Sequence, residues 1–170
     1  HLSAVIDPAT RESVWNSVEN ILVHGPITQP EKASTIGLAL GYGQSGKTSS
    51  ITALIAQAAD QGYRIVVALL GSTNLLLEQN QTRISQALNL AERADYRWTT
   101  EEKLGGRSGK EKVRQWLERD RVVFVPILKH AKRINSVAKV LSELEMRNVP
   151  VLIVDDEADQ ASLNIPKNDN

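Results

Sequence analysis

The 170-residue chain contains no cysteine, which excludes a disulfide framework and a thiolate metal site. Its formal net charge is zero, with 20 basic and 20 acidic residues, so its overall charge does not indicate a nucleic-acid-binding protein, although a local patch could still bind one. It also lacks an apolar run of the roughly 18–20 residues that a membrane helix needs. We therefore expect a cytoplasmic protein with no membrane partner.

The chain does have enough apolar content for one compact core. Hydrophobic residues make up 41% of the sequence, and this length predicts one domain rather than two. The chain begins at His1 rather than at Met, and a polar tail, NIPKNDN, follows its last apolar run. We expect a piece of a longer protein, with a helical lead-in over 1–34, a main lobe over 35–165 and the start of a linker over 166–170.

Short apolar runs alternate with segments that have helical spacing. The runs predict buried strands at 35–40, 64–70, 121–128 and 149–154. Helices are predicted at 11–23, 47–61, 74–90, 111–119 and 130–147, whereas 94–109 has no regular pattern. This alternation indicates parallel crossovers and therefore an α/β fold, a three-layer α/β/α sandwich with a mainly parallel sheet. In such sheets, ligands bind beyond the carboxyl ends of the strands.

The run GYGQSGKT follows the first predicted strand and matches the phosphate-binding pattern G-x-x-x-x-G-K-[ST]. Glycines let backbone N–H groups point at phosphate oxygens, and the next helix adds its positive N-terminal end. Lys47 would reach the β- and γ-phosphates, and the Thr48 hydroxyl would bind magnesium. The alternative is a tight glycine turn with an exposed lysine. The predicted nucleotide-binding residues are Gly41, Tyr42, Gly43, Gln44, Ser45, Gly46, Lys47, Thr48 and Ser49.

A second polar segment, VLIVDDEAD, follows the last predicted strand. Asp156 would hold Mg²⁺, and Glu157 would orient or deprotonate the attacking water. Asp155 is the alternative metal-side carboxylate, and the sequence does not decide between the two aspartates. The segment could also be a solvated acidic helix start. We predict Glu157 and Lys47 as catalytic residues, and ATP and Mg²⁺ as cofactors.

The string DEAD at 156–159 resembles the second motif of superfamily-two helicases, and GYGQSGKT resembles the first. GSTN at 71–74 lies where those enzymes place a loop that touches the nucleic-acid backbone. More narrowly, four strings are similar to the helicase-like ATPase portion of Z-one-domain proteins, bacterial proteins grouped with restriction and phage-defence systems and described as endonucleases. The strings are GLALGYGQSGKT, LLGSTNLLLEQNQTRI, VPILKHAKRI and VLIVDDEADQASLN, and the resemblance runs in patches from 36 to 164.

This resemblance implies the first RecA-like P-loop NTPase lobe of a helicase-like ATPase that moves on nucleic acid, with DNA favoured over RNA. A second RecA-like lobe in the same chain would supply an arginine finger. The sequence departs from the helicase pattern, because no Ser-Ala-Thr motif follows the acidic segment and only Gln29 is a candidate for reading adenine. Two alternatives stay open: a P-loop ATPase switch, and a nucleotide-sensing module, neither of which moves on nucleic acid.

Polar residues after the second and third predicted strands are candidates for contact with nucleic acid. Ser72, Thr73 and Asn74 could donate hydrogen bonds to backbone phosphates. The same residue types also favour the N-cap of a helix, which is an equally good interpretation. Lys129 could bind phosphate as well, or it could belong to a solvated basic helix face.

Overall fold

The computed structural model contains one parallel sheet with helices on both of its faces. It describes residues 8–25, 27, 34–39, 46–90, 98–100, 104, 107–144 and 149–158. In chain order the elements are α1 (Pro8–Leu22), α2 (Lys47–Asp60), β1 (Ile65–Leu69), α3 (Asn74–Ala87), β2 (Trp98–Thr100), α4 (Arg107–Glu118), β3 (Val122–Ile127), α5 (Ala131–Glu143) and β4 (Val151–Asp155).

The four strands of the sheet lie in the order β2-β3-β1-β4, and every neighbouring pair is parallel. Ile65 at the start of β1 pairs with Val123 and Val151, and Leu69 at its end pairs with Ile127 and Asp155. The carboxyl ends of β1, β3 and β4 therefore lie side by side. We call this side of the sheet the carboxyl edge, and it is where ligands bind in parallel α/β sheets.

Successive residues of the strands belong to two separate cores, because side chains alternate between the faces of a sheet. On one face Val66 packs with Ile55 of α2 and with α3. On the other face Val67 packs with Val113 of α4 and with α5. β1 and β3 are completely buried, as expected of strands covered on both sides. The predicted three-layer α/β/α fold with a parallel sheet is confirmed.

Helix α1 forms an additional layer outside α2. Val18 and Leu22 are buried against Ala53, Ala58 and Tyr63 in a cluster of their own. The predicted lead-in therefore contributes a helix that packs directly on the main lobe. None of the helices in the described part of the chain combines the length and apolar composition that crossing a bilayer requires.

The predicted strand at 35–40 is wrong for the residues that the structure describes. Residues 34–39 have irregular backbone, and Ile36 and Leu38 are 99% and 78% exposed. An apolar run indicates a tendency toward burial, but a strand also needs a neighbouring ladder, and β4 pairs only with β1 among the described strands.

The reverse error occurs in 94–109, which has no regular pattern in the sequence but contains β2. This strand is only three residues long, and Trp98 pairs with Val122 of β3. So short a segment cannot show a period of two, and its strand conformation comes from pairing with a distant part of the chain.

Candidate functional site

The N-terminus of α2 lies at the carboxyl edge of the sheet. The helix ends at Asp60 and β1 begins at Ile65, so the chain reverses direction at the opposite edge. A helix of 14 residues is about 21 Å long and a strand of 5 residues about 17 Å. The start of α2 therefore reaches the level at which the parallel strands end.

Gly46 precedes α2 in the left-handed conformation, with φ 111° and ψ −19°. This backbone region favours glycine, and Gly46 has no side chain with which to cap the helix. Lys47 is exposed, whereas Thr48 and Ser49 are half-buried. Exposed N–H groups, the positive end of the helix dipole and a lysine together form an arrangement suited to binding an anion such as phosphate. The other predicted nucleotide-binding residues, 41–45, lie outside the described residues.

The acidic loop, which we define as Asp155–Glu157, begins at the last residue of β4 and lies at the same edge. The backbone N–H of Asp156 donates to the carbonyl of Leu69 at 3.1 Å, so the pairing of β4 with β1 continues one residue past the strand. Glu157 has φ 57°, in the left-handed region that few residues other than glycine adopt. Asp156 is half-buried, whereas Asp155 and Glu157 are exposed. The acidic loop is therefore fixed to the centre of the sheet at its first residues.

Lys129 connects the acidic loop to the ends of β1 and β3. Its Nζ lies 2.6 Å from Oδ1 of Asp155 and donates to the carbonyl oxygen of Glu157 at 2.8 Å. Its backbone N–H donates to the carbonyl of Gly71 at 2.8 Å. Only 7% of the side chain is exposed. Contact of Lys129 with nucleic acid stays a prediction, and in this structure its ammonium group binds groups of the protein itself.

The loop between β1 and α3 holds the other residues predicted to touch nucleic acid. Ser72, Thr73 and Asn74 are all exposed. The Thr73 hydroxyl accepts a hydrogen bond from the backbone N–H of Leu76 at 3.3 Å, which makes Thr73 the N-cap of α3. Its hydroxyl can still donate to a phosphate, so the two interpretations of this residue are compatible.

The groups at the carboxyl edge are of the kind that holds magnesium together with a nucleotide. In the described part of the chain, no three His, Cys, Asp or Glu side chains group in a way that could hold a metal ion. Mg²⁺ in phosphate-transfer sites is held by one or two carboxylates together with phosphate oxygens, so a larger cluster is not required. The Thr48 hydroxyl and one aspartate of the acidic loop fit this pattern.

The pair formed by Lys129 and Asp155 was not predicted from the sequence. A signal was present, because the two residues carry opposite charges and each comes at or just after the end of a predicted strand. β3 and β4 flank β1 on either side, so their ends lie at one edge of the sheet. The strand order was needed to bring them together, and the sequence pattern does not contain it.

Comparisons of the chain with protein-family models, with curated proteins and with solved structures find no match. The resemblance to helicase-like ATPases and to Z-one-domain proteins therefore stays a prediction from the sequence strings.

Proposed function

We propose that this chain is an ATP-binding and Mg²⁺-dependent ATP-hydrolysing lobe of a helicase-like nucleic-acid translocase, in a restriction or phage-defence protein. The observation that carries the proposal is the position of two polar segments far apart in sequence. The start of α2, with Gly46, Lys47 and Thr48, and the acidic loop lie at one edge of one parallel sheet. Hydrolysis of a nucleotide needs a phosphate-binding segment and a carboxylate at the same edge of the sheet.

The start of α2 binds and orients the phosphates in this proposal. Backbone N–H groups of the first turn point along the helix axis toward the ligand, and Gly46 holds the left-handed backbone immediately before that turn. Lys47 is exposed and adds a mobile positive charge that reaches the β- and γ-phosphate oxygens. These groups hold the terminal phosphate in position for attack.

The acidic loop prepares the attacking water. Glu157 accepts a hydrogen bond from the water and orients it, or takes up its proton. Thr48 and one aspartate, which we take to be Asp156, would hold Mg²⁺. The ion bound there would neutralise charge on the phosphate oxygens. A glutamate beside the metal-binding aspartate supports hydrolysis over transfer of phosphate to another acceptor.

The proposed translocase also needs nucleic acid and a second RecA-like lobe. The exposed residues Ser72, Thr73 and Asn74 follow β1 at the carboxyl edge and would contact backbone phosphates of DNA. Opening and closing of the two lobes would then move the nucleic acid. We place this activity in the cytoplasm, as the sequence predicts.

Binding of Mg·ATP to the chain tests the phosphate cradle. A hydrogen bond to a charged group contributes about 1.5–3 kcal/mol, so we expect Lys47→Ala to weaken binding roughly 10–100-fold in isothermal titration calorimetry. The matched control is Lys139→Ala, which removes a lysine whose side chain is 77% exposed on α5. Equal binding by the Lys47→Ala variant and the unchanged chain would show that the motif is a glycine turn.

Turnover of ATP, measured as phosphate release with and without DNA, separates the motor from its alternatives. An arginine finger contributes on the order of 10³–10⁵ in rate, so we expect slow turnover by this lobe alone. Glu157→Gln should bind ATP and abolish turnover, whereas Glu118→Gln at the exposed end of α4 should change neither. Turnover that DNA does not stimulate indicates a switch. Binding with no turnover, unchanged by Glu157→Gln, indicates a nucleotide sensor.

A further inference from the structure

Lys129 lies at the carboxyl edge, and the proposed chemistry does not use it. It follows β3, and its side chain is 7% exposed. A buried ammonium group is unfavourable unless anions or carbonyls surround it. Asp155 Oδ1 and the Glu157 carbonyl supply these partners, at 2.6 and 2.8 Å from Nζ. Lys129 therefore belongs to the acidic loop in structure, although it comes from another strand.

The ion pair between Lys129 and Asp155 makes Asp155 less able to bind a metal ion. Its carboxylate is already neutralised by an ammonium group 2.6 Å away, so a second cation placed on it would be repelled by the first. Among the described residues, the structure gives the Asp156 side chain no hydrogen bond and no ion pair that would neutralise its charge. The neutralised aspartate is thus a poor ligand for Mg²⁺, and its neighbour is the better one.

The alternation of side chains along β4 also favours Asp156 over Asp155 as the metal ligand. Leu152 and Val154 of β4 pack toward α2, whereas Val151 packs on the opposite face, with α4 and α5. Asp155 continues the row of Val151. Pairing with β1 extends to Asp156 through its N–H bond to Leu69, so Asp156 continues the row that faces α2. The helix that begins with Lys47 and Thr48 is on the side of Asp156.

Lys129 also acts on the backbone of Glu157. The carbonyl that it binds belongs to a residue with φ 57°, a conformation that persists in residues other than glycine only when the surroundings hold it. A bond from a buried, paired ammonium group is such a restraint. Lys129 thereby fixes the direction in which the Glu157 side chain leaves the backbone.

We propose that Lys129 is a positioning residue of the acidic loop, which binds Asp155 and the Glu157 carbonyl and so leaves Asp156 as the metal-side carboxylate. The proposal rests on the proposed function in so far as it concerns a metal. It assigns Asp155 a structural role, and it gives a structural reason for taking Asp156 rather than Asp155 as the aspartate that would hold Mg²⁺.

The metal part is tested by binding of Mn²⁺ in the presence of ATP, followed by electron paramagnetic resonance. Loss of a group that holds or supports a metal ligand weakens binding about 10–100-fold. We expect Asp156→Asn to weaken Mn²⁺ binding by at least about tenfold, and Asp155→Asn to weaken it by less than Asp156→Asn does. The reverse order, or equal loss in both variants, overturns the proposal.

The positioning part is tested by a double-mutant cycle with Lys129→Met and Asp155→Asn. Each single variant should lower the urea midpoint of unfolding, and the double variant should lower it by less than the two single effects together. Lys129→Met should also weaken Mn²⁺ binding, because the freed Asp155 carboxylate and the released Glu157 carbonyl disturb the loop. Adding Asp155→Asn should restore part of this binding, which a purely structural role for Lys129 would not produce. Additive effects in both measurements overturn the proposal.

Failure of this inference and failure of the proposed function give different results. If the unchanged chain binds Mn²⁺ with ATP but the cycle shows no coupling, Lys129 is not a positioning residue and the nucleotide site stands. If the unchanged chain binds no Mn²⁺ with ATP while the cycle shows coupling, the proposed function is wrong and the metal assignment of Asp156 falls with it.

Discussion

At the scale of single residues, Tyr63 joins α2 to β1 in the middle of an apolar cluster. Its side chain is 3% exposed and packs with Val18, Leu22 and Ala58. Burial raises the pKa of the Tyr63 phenol above its ordinary value of 10.0, because the phenolate loses the stabilisation that water would give it. A Cβ atom on Gly25 would lie 2.4 Å from the phenol oxygen, so the packing here is tight.

The raised pKa of Tyr63 predicts a loss of stability at alkaline pH. The phenol of the unfolded chain ionises near pH 10, whereas that of the folded chain stays neutral to a higher pH. Its contribution to the free energy of unfolding is therefore complete below about pH 10 and falls as the pH rises toward the folded-state pKa. Urea midpoints measured from pH 8 to 11 should fall less steeply for Tyr63→Phe than for the unchanged chain. Parallel curves would show that Tyr63 does not contribute.

Residues that act through local chemistry could be predicted from the sequence, and those that act through long-range contacts could not. Lys47 and Thr48 belong to one short motif whose residue types and spacing predict binding of phosphate and magnesium. The placement of the acidic loop at the carboxyl edge also followed, because a buried strand delivers it there. The sequence offers Lys129 only as a candidate for phosphate contact or for a solvated helix face, because its two partners come from another strand and depend on the strand order. The left-handed backbone of Glu157 carries no signal in the residue type.

At the scale of elements, the N-cap of α3 gives a test of how the helix is held. Thr73 has an extended backbone, and its hydroxyl accepts from the Leu76 N–H at 3.3 Å. Loss of such a cap costs about 1 kcal/mol, so Thr73→Ala should lower the free energy of unfolding by about that amount. Thr73→Ser keeps the oxygen and should lose much less. Equal stability of the Ala and Ser variants, measured by urea denaturation, would show that the cap is not formed or does not stabilise α3.

Long elements with a clear period were predicted, and short ones were not. The five helices and the strands β1, β3 and β4 agree with their predicted positions to within a few residues. The spacing of their apolar residues indicates both the type of element and the side of it that is buried. β2 was missed because its backbone conformation is imposed by β3. The strand predicted at 35–40 failed for the converse reason: its composition suits a strand, but no neighbour in the described sheet pairs with it.

At the scale of the whole molecule, β4 is the outermost strand on one side of the sheet in the described residues. In the described part of the chain β4 pairs only with β1, so its outer edge has no strand beside it. Ile153, in the middle of β4, is 60% exposed. An exposed edge strand with an apolar side chain favours pairing with other molecules. We therefore expect the chain to associate with itself at high concentration.

Ile153→Thr should reduce this association and leave the fold intact, because threonine keeps the branched shape that strands favour but is less apolar. The matched control is Leu75→Gln, since Leu75 is 65% exposed on a helix rather than on an edge strand. Light scattering over a range of concentrations measures the effect. Equal association of the Ile153→Thr variant and the unchanged chain would show that the edge of β4 is not the site of contact.

The strand order β2-β3-β1-β4 also determines when the molecule can fold. β1 is an inner strand and all of its residues are buried, yet its partners β3 and β4 both come after it in the chain. During synthesis, β1 leaves the ribosome long before Val123 and Val151 exist to pair with Ile65. Only α3, β2 and α4 separate β1 from β3, and they cannot supply the missing ladder. The nascent chain must therefore carry an apolar, unpaired strand until β3 and β4 have been made.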